Sequence, residues 1–442
     1  MVRRLLAPLA LPVLLLGTLA CSSAGRATDP ASGSVATADA PQSSHAASAR
    51  VRVTVSVPSA LRGAPFDTKR TLLVPRGWKV SVWARVDGAR LVVRTPDGRL
   101  LVSRPDHGDI VELIPRSGHL PGRRTLVAGL NSPHGMAFHG SSLYVAETDR
   151  LDRFAYAHGR VGTRHTLARL PGGGGHALKS VVVGAKGSVF VSVGSTGNIS
   201  AEDRRAHPAR ATILRWSPTD HRLHRYARGV RNGTALAIDP AGAKWTAVNN
   251  RDEIPYPYHH DWDGDGHSDY GRVMQSYVND HPLEPVAKLR TGRDLGWPYC
   301  DPDPSVHLGI RGSALAYARR PFVRDLDTNA TGSHLDCAKL PRIEQGLPAH
   351  SAPLSMQFMS LPGYGTGAVI GTHGSWNRQP PRAPAVWFFP WKNGQLGRGR
   401  VLISGFQNGD GSRWGRVVGV ARGHGALYVT DDQAGAVYRI SW

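Results

Sequence analysis

Four glycines, Gly172–Gly175, run directly into His176, and an apolar, strand-like run follows. Glycine lets the backbone approach another group closely or adopt a positive φ. A histidine entering a strand there can act as a general base, because its ordinary pKa lies near working pH. Ahead of a second apolar run, the same place is held by Arg231 and Asn232. Arginine offers a planar fork for carboxylates and a fixed charge for a developing oxyanion, and asparagine adds a donor and an acceptor. Ser412–Arg416 occupies the place a third time, with Arg413, Trp414 and Arg416, and His373–Arg378 closes another run. Together these cations and indoles suit an anionic, planar ligand. Each alone has a plainer reading: a surface histidine, a turn arginine, an indole packed in a sheet.

Two stretches could hold a metal ion. One is Asn249-Asn250-Arg251-Asp252-Glu253. The other, Asp261–Asp269, has the D-x-D-x-D-G spacing of a calcium loop, with Asp261, Asp263, Asp265 and Asp269 as oxygen donors. It is not a full EF-hand, because Arg272 stands where the bidentate glutamate belongs. The competing reading is a polar turn in a lid. Zinc spacing, a P-loop and a G-x-S-x-G elbow are all missing.

What must position these residues is a repeat. Six segments share an apolar run, a Gly-centred turn, a second apolar run and a polar close: Ala89–Glu112, Pro133–Phe154, Leu178–Asn198, Thr234–Glu253, Pro353–Asn377 and Val417–Ile440. These are strand and hairpin signals. Most recur at about 45–60 residues, the period of a four-stranded propeller blade. The fold expected is all-β, a six-bladed β-propeller over 61–442, ahead of two sandwiches or a β-helix. A long insertion, Ile254–Ala352, is expected between blades four and five, where it would build the site or a lid.

Composition narrows the class. The 442 residues include 51 Gly, 32 Pro and a 54-to-33 excess of Lys+Arg over Asp+Glu, a formal charge of +21. That excludes a wholly disordered chain and a disulfide-stapled miniprotein. The only long charge-free apolar run is Leu5–Cys21, which argues against multiple membrane spans. The cations are mostly arginine and evenly scattered, unlike a nucleic-acid footprint, so no nucleic-acid partner is expected. Arg3, Arg4 and the following apolar run read as a signal peptide over 1–21. Leu19-Ala20-Cys21 resembles a bacterial lipoprotein processing site, with Cys21 lipidated, and plain secretion is the alternative. A cell-surface or extracellular/periplasmic protein follows, touching membrane only through that anchor. Residues 22–50 have no aromatic, and a flexible tether is expected over 22–60. Cys300 and Cys337 are then an even pair in an oxidising compartment, read as a disulfide, with two buried thiols as the alternative.

In combination, several motifs resemble the soluble glucose/sorbosone dehydrogenases, which use pyrroloquinoline quinone (PQQ). They are Gly175-His176 before SVVVGAKGSVFVSVGS, Arg231-Asn232 before ALAIDPAG, Asn250–Glu253, Gly296–Cys300, Pro348–Met356, HGSWNR and Gly415-Arg416. The resemblance covers about residues 70–442. It implies an exported dehydrogenase that oxidises C1 of an aldose or related sugar, with PQQ and Ca2+ as cofactors and an external electron acceptor. It gives His176 the proton and Arg231 the charge on the quinone oxygen. Asn232, Arg416, Arg413, Arg378 and His373 become cofactor contacts, and carbonyls near Asn249 and Asn250 become calcium ligands. The Asp261–Asp269 loop has no counterpart in it. A calcium-dependent lactonase on a similar propeller and a non-catalytic binding propeller are the competing functions.

Overall fold

The computed structural model describes residues 49–442. The signal peptide, Cys21 and most of the tether lie outside the described residues.

Alternating apolar residues bury one face of a strand and expose the other. Arg150–Ala157 shows the pattern plainly: Leu151, Phe154 and Tyr156 are buried while Arg153, Ala155 and Ala157 are exposed. Such strands pair with sequence neighbours into antiparallel sheets, and the sheets stack face to face around an axis. Five sheets have a simple blade form. Their innermost strands are Val92–Arg94, Gly135–His139, Val181–Val183, Ala235–Ile238 and Val417–Gly423. The last sheet is completed by the early strand Lys79–Arg85, which pairs antiparallel with the C-terminal strand Ala436–Ser441.

The fifth repeat unit behaves differently. Its strands Pro353–Leu361 and Gly365–Thr372 join a seven-stranded sheet that also takes Arg50–Thr54 and Thr71–Pro75. The expected six-bladed propeller is therefore corrected to five blades, with the fifth repeat unit taken into a seven-stranded composite sheet. The extra strand also moves a boundary. Arg50–Thr54 pairs in register with Thr71–Pro75, so the tether expected to reach residue 60 ends before residue 50.

The expected insertion between units four and five is corrected too. Glu284–Leu289 and Gln345–Leu347 are the outer strands of the fourth sheet, beside Lys244–Ala247. What remains is two excursions within that unit, 248–283 and 290–344. They carry two short helices, Gln275–Val278 and Leu326–Asn329, and the strand pair Cys300–Pro302 with Phe322–Arg324. The Cys300–Cys337 disulfide joins them to a small apolar cluster with Leu283, Tyr299, Phe322 and Ile343.

Apolar clusters fill the spaces between neighbouring sheets. Tyr144, Ala146 and Leu151 of the second unit meet Val181, Val191 and Leu214 of the third. Near the axis the backbones almost touch: a Cβ on Gly135 would stand 2.6 Å from Ser180 Cα. The innermost strands line a central cavity of about 400 Å³, walled by residues such as Met136, Val181, Leu236, Met356 and Val420.

Candidate active site

A charged or imidazole side chain stands just ahead of each innermost strand. Arg90 precedes Val92–Arg94, His134 precedes Gly135–His139, and His176 lies before Val181–Val183. Arg231 precedes Ala235–Ile238, His350 precedes Pro353–Leu361, and Arg416 precedes Val417–Gly423. Neighbouring units are bonded at these ends. Gly135 N donates to Lys179 O at 2.8 Å, Ser195 N to Arg231 O at 2.8 Å, and Ser355 Oγ to Val418 O at 2.6 Å. Repetition of one local unit around an axis thus sets a basic-type group ahead of each innermost strand, and Arg90 and Arg416 share one opening. A cavity of about 370 Å³ there is lined by Arg90, Leu178, Arg416, Asp432 and Gln433, among others.

His176 sits at the end of the glycine run. Its Nδ1 is 2.8 Å from Ser195 Oγ, and its backbone N donates to Ser195 O at 3.3 Å. Burial, reinforced by the positive charge of Arg231, holds its pKa down at about 4, against the opposing pull of Ser195 and Asp252. The ring is therefore neutral at ordinary pH, the state a general base needs.

Arg231 is buried and fully engaged. Its Nε donates to Asn198 O at 3.2 Å, Nη1 to Asn249 O at 3.1 Å, and Nη2 to Asn198 Oδ1 at 3.0 Å. Asp252 Oδ2 lies 3.5 Å from Nη2. Burial lowers the Arg231 pKa to about 10 against the pull of Asp252 and Glu284, leaving it charged. Asp252 in turn faces His350 Nδ1 at 3.4 Å and accepts from Asn377 Nδ2 at 3.3 Å. Burial alone would raise its pKa, but His350 and Arg231 outweigh that and hold it low, so it stays a carboxylate. Beside Arg231, Asn232 is buried with an Oδ1 that has no hydrogen-bond partner. Arg251, within the same run, turns the other way: it pairs with Asp325, and with Asp327 at 3.0 Å, fastening the excursions. Asn250 Nδ2 is spent on Leu283 O at 3.2 Å.

Across the mouth, Arg416 Nε and Nη2 each lie 2.8 Å from a ring nitrogen of His373. His373 Nε2 is 3.0 Å from Asp432 Oδ1, and Arg90 Nη1 is 2.5 Å from Asp432 Oδ2. Burial lowers His373 to about 4, and Asp432 is held low by its His373, Arg90 and Arg416 neighbours despite burial. Arg416 keeps 39% of its side chain exposed, so part of its guanidinium still faces solvent.

Two other arginines expected as cofactor contacts already have protein partners. Arg413 donates to Ser375 O and reaches Gln407 Oε1 at 3.4 Å. Arg378 donates to Pro380 O at 2.7 Å and faces Asp280 at 3.8 Å. Their guanidinium groups brace loops of the fifth unit. Of the acidic loop, Asp261, Asp263 and Asp265 converge, with carboxylate oxygens within 4.8 Å of one another and exposed. Asp269 is removed from that set: it accepts from the backbone of Trp262 at 2.7 Å and Asp263 at 3.0 Å and pairs with Arg272.

Sequence reasoning missed Arg90, Asn198, Ser195, His350 and Asp432. Arg90 had a signal, since it stands just ahead of the first repeat's inner strand as Arg416 stands ahead of the last, and His350 stands alike ahead of the fifth. Asn198 and Asp432 act through partners far along the chain and carry no local mark.

Three comparisons bear on this site. A pyrroloquinoline quinone-dependent pyranose dehydrogenase of Coprinopsis cinerea is 33% identical over 115 residues, which is 21% of this chain and 15% of that protein. This chain thus matches only a small part of that relative's length. The holo form of a pyranose dehydrogenase PQQ domain from Coprinopsis cinerea superposes with TM-score 0.72 at 22% identity, covering 88% of this chain and 100% of that one. A calcium structure of a Trichoderma reesei Carbohydrate-Active Enzymes Family AA12 protein gives TM-score 0.68 at 20% identity, covering 84% and 96%. At these identities the structural likeness speaks for the fold. The family model described as TrAA12-like matches residues 72–442, the whole of the sheet assembly from its second strand to its last residue. The chain belongs to the TrAA12-like family.

Proposed function

We propose that the protein is a PQQ-dependent sugar dehydrogenase, with the mouth of the sheet ring as its active site. The observation that carries the reading is the neutral His176 beside the charged Arg231 within a ring of basic groups. That donor set suits a planar polycarboxylate: Arg416 has exposed guanidinium surface, and Asn232 Oδ1 is a buried acceptor still lacking a donor. Arg416 and Arg90 would hold carboxylates, and Asn232 would orient the ring system. Calcium would take backbone carbonyl oxygens of the Asn249–Asn250 stretch, where Asn249 O already accepts from Arg231 Nη1 at 3.1 Å. When bound, PQQ supplies a two-electron acceptor for hydride, and calcium polarises it.

The chain's own residues then have separate tasks. His176 accepts the proton of the hydroxyl on the carbon being oxidised, taken as C1 of an aldose or related sugar. Arg231, immobilised by Asn198 and Asn249, offers fixed positive charge to an oxyanion without reorganising. Asp252 stands close enough to offset the imidazolium once it forms. Export, a lipid anchor at Cys21 and an external electron acceptor complete the reading.

The test is direct. Purified protein loaded with PQQ and Ca2+ is expected to reduce a dye with aldoses. His176→Ala is expected to lose that turnover while still binding the quinone, as read by absorbance. Unchanged turnover in His176→Ala, or none in the loaded wild type with any aldose, would overturn it.

A further inference from the structure

We propose that Ser195 is a positioning residue that fixes the tautomer of His176, so that Nδ1 carries the ring proton and Nε2 offers its lone pair to the substrate hydroxyl. The inference rests on His176 as the base.

A serine hydroxyl has one hydrogen to donate. Ser195 Oγ lies 2.7 Å from Gly197 O, a carbonyl that can only accept, so the hydrogen goes there. The same Oγ is 2.8 Å from His176 Nδ1 and, its hydrogen spent, can only accept from it. Nδ1 is therefore the N–H, and in a neutral imidazole Nε2 is then the acceptor. The hydroxyl is buried, and the backbone holds the pair in register: His176 N donates to Ser195 O at 3.3 Å, and Gly175 N to Thr196 O at 2.7 Å. Gly194 makes the approach possible, because a Cβ there would stand 2.5 Å from His176 Cβ.

A hydroxyl at this place has a consequence that a carboxylate would not. It fixes the ring without adding negative charge, and the pull of Ser195 toward protonation comes through its backbone rather than its hydroxyl. The charged groups that act on the ring are Arg231, which opposes protonation, and Asp252, which favours it. On transfer, the substrate O–H bond breaks and an Nε2–H bond forms, while Nδ1–H stays on Ser195.

The test uses the apo protein with 15N-labelled histidine, with His176→Gln identifying the His176 signals. Wild type is expected to show a protonated Nδ1 and an unprotonated Nε2. Ser195→Ala is expected to shift the ring to a mixture of tautomers, and Ser195→Thr to keep the wild-type pattern. In protein loaded with PQQ and Ca2+, Ser195→Ala is expected to lose at least about tenfold in kcat with little change in KM. A wild-type tautomer in Ser195→Ala would overturn the proposal. Since the tautomer is read without cofactor or substrate, a wild type that oxidises no sugar would overturn the dehydrogenase reading and leave this measurement to decide Ser195 separately.

Discussion

Arg231 and Asn198 are joined twice, Nε to the carbonyl oxygen at 3.2 Å and Nη2 to Oδ1 at 3.0 Å. Asn198 Oδ1 also accepts Asp252 N at 2.9 Å, so one amide sets the relative placement of the guanidinium and the carboxylate. Hydrogen bonds to charged groups are worth about 1.5–3 kcal/mol. Asn198→Ala is expected to lower kcat/KM for aldose oxidation by about 10- to 100-fold, with the fold retained by circular dichroism. Unaltered kcat/KM would remove Asn198 from the site.

Arg416 and Arg378 provide a contrast between two arginines of one motif set. Arg416 faces the mouth beside His373 and Asp432, whereas Arg378 is tied to Pro380 and Asp280. Arg416→Ala is expected to weaken PQQ binding by at least about tenfold in an absorbance titration, while Arg378→Ala binds like wild type. Equal weakening by both would contradict the placement.

His134 makes stability depend on acid. It is fully buried, its Nδ1 faces Lys179 O at 3.1 Å, and burial, helped by Arg90, lowers its pKa to about 3. The unfolded chain therefore binds a proton that the folded one refuses between pH 6.5 and 3. Stability is full above the unfolded pKa and falls as pH drops through that window, by about 2 kcal/mol from this residue at pH 5. Urea unfolding at pH 7 and pH 5 should show a smaller loss in His134→Gln than in wild type. Identical losses would dismiss the assignment.

The acidic loop and the mouth should separate under calcium withdrawal. Asp261, Asp263 and Asp265 form an exposed group of their own, apart from the Asn249–Asn250 carbonyls. Chelation of wild type is expected to abolish dye reduction, and restored Ca2+ to recover it. A combined D261N/D263N/D265N variant is expected to keep kcat/KM within about twofold, as surface changes away from a site commonly do. Loss of turnover in that variant would move the catalytic ion to the loop.

The repeat was legible because its signals are local: alternating apolar residues and glycine turns recur in sequence, and a cation placed before one inner strand is placed alike before the next. His176, Arg231 and Arg416 could be singled out on that basis alone, and the Cys300–Cys337 pair from its count. Other features depended on pairing across long separations. Glu284–Leu289 and Gln345–Leu347 carry no mark of belonging to the fourth sheet, because a strand's partner is chosen by edge and burial rather than by neighbouring sequence. The same holds for Arg50–Thr54, which looked like tether until Thr71–Pro75 gave it an edge. Arginines of equal charge were divided by what lay within reach: carbonyls took Arg413 and Arg378, while Arg272 pairs with both Asp263 and Asp269. Residue type and spacing thus picked out candidate groups ahead of the inner strands. Tertiary structure alone decided which groups are neutral, charged or already bonded there, because burial and partners distant in sequence set those states.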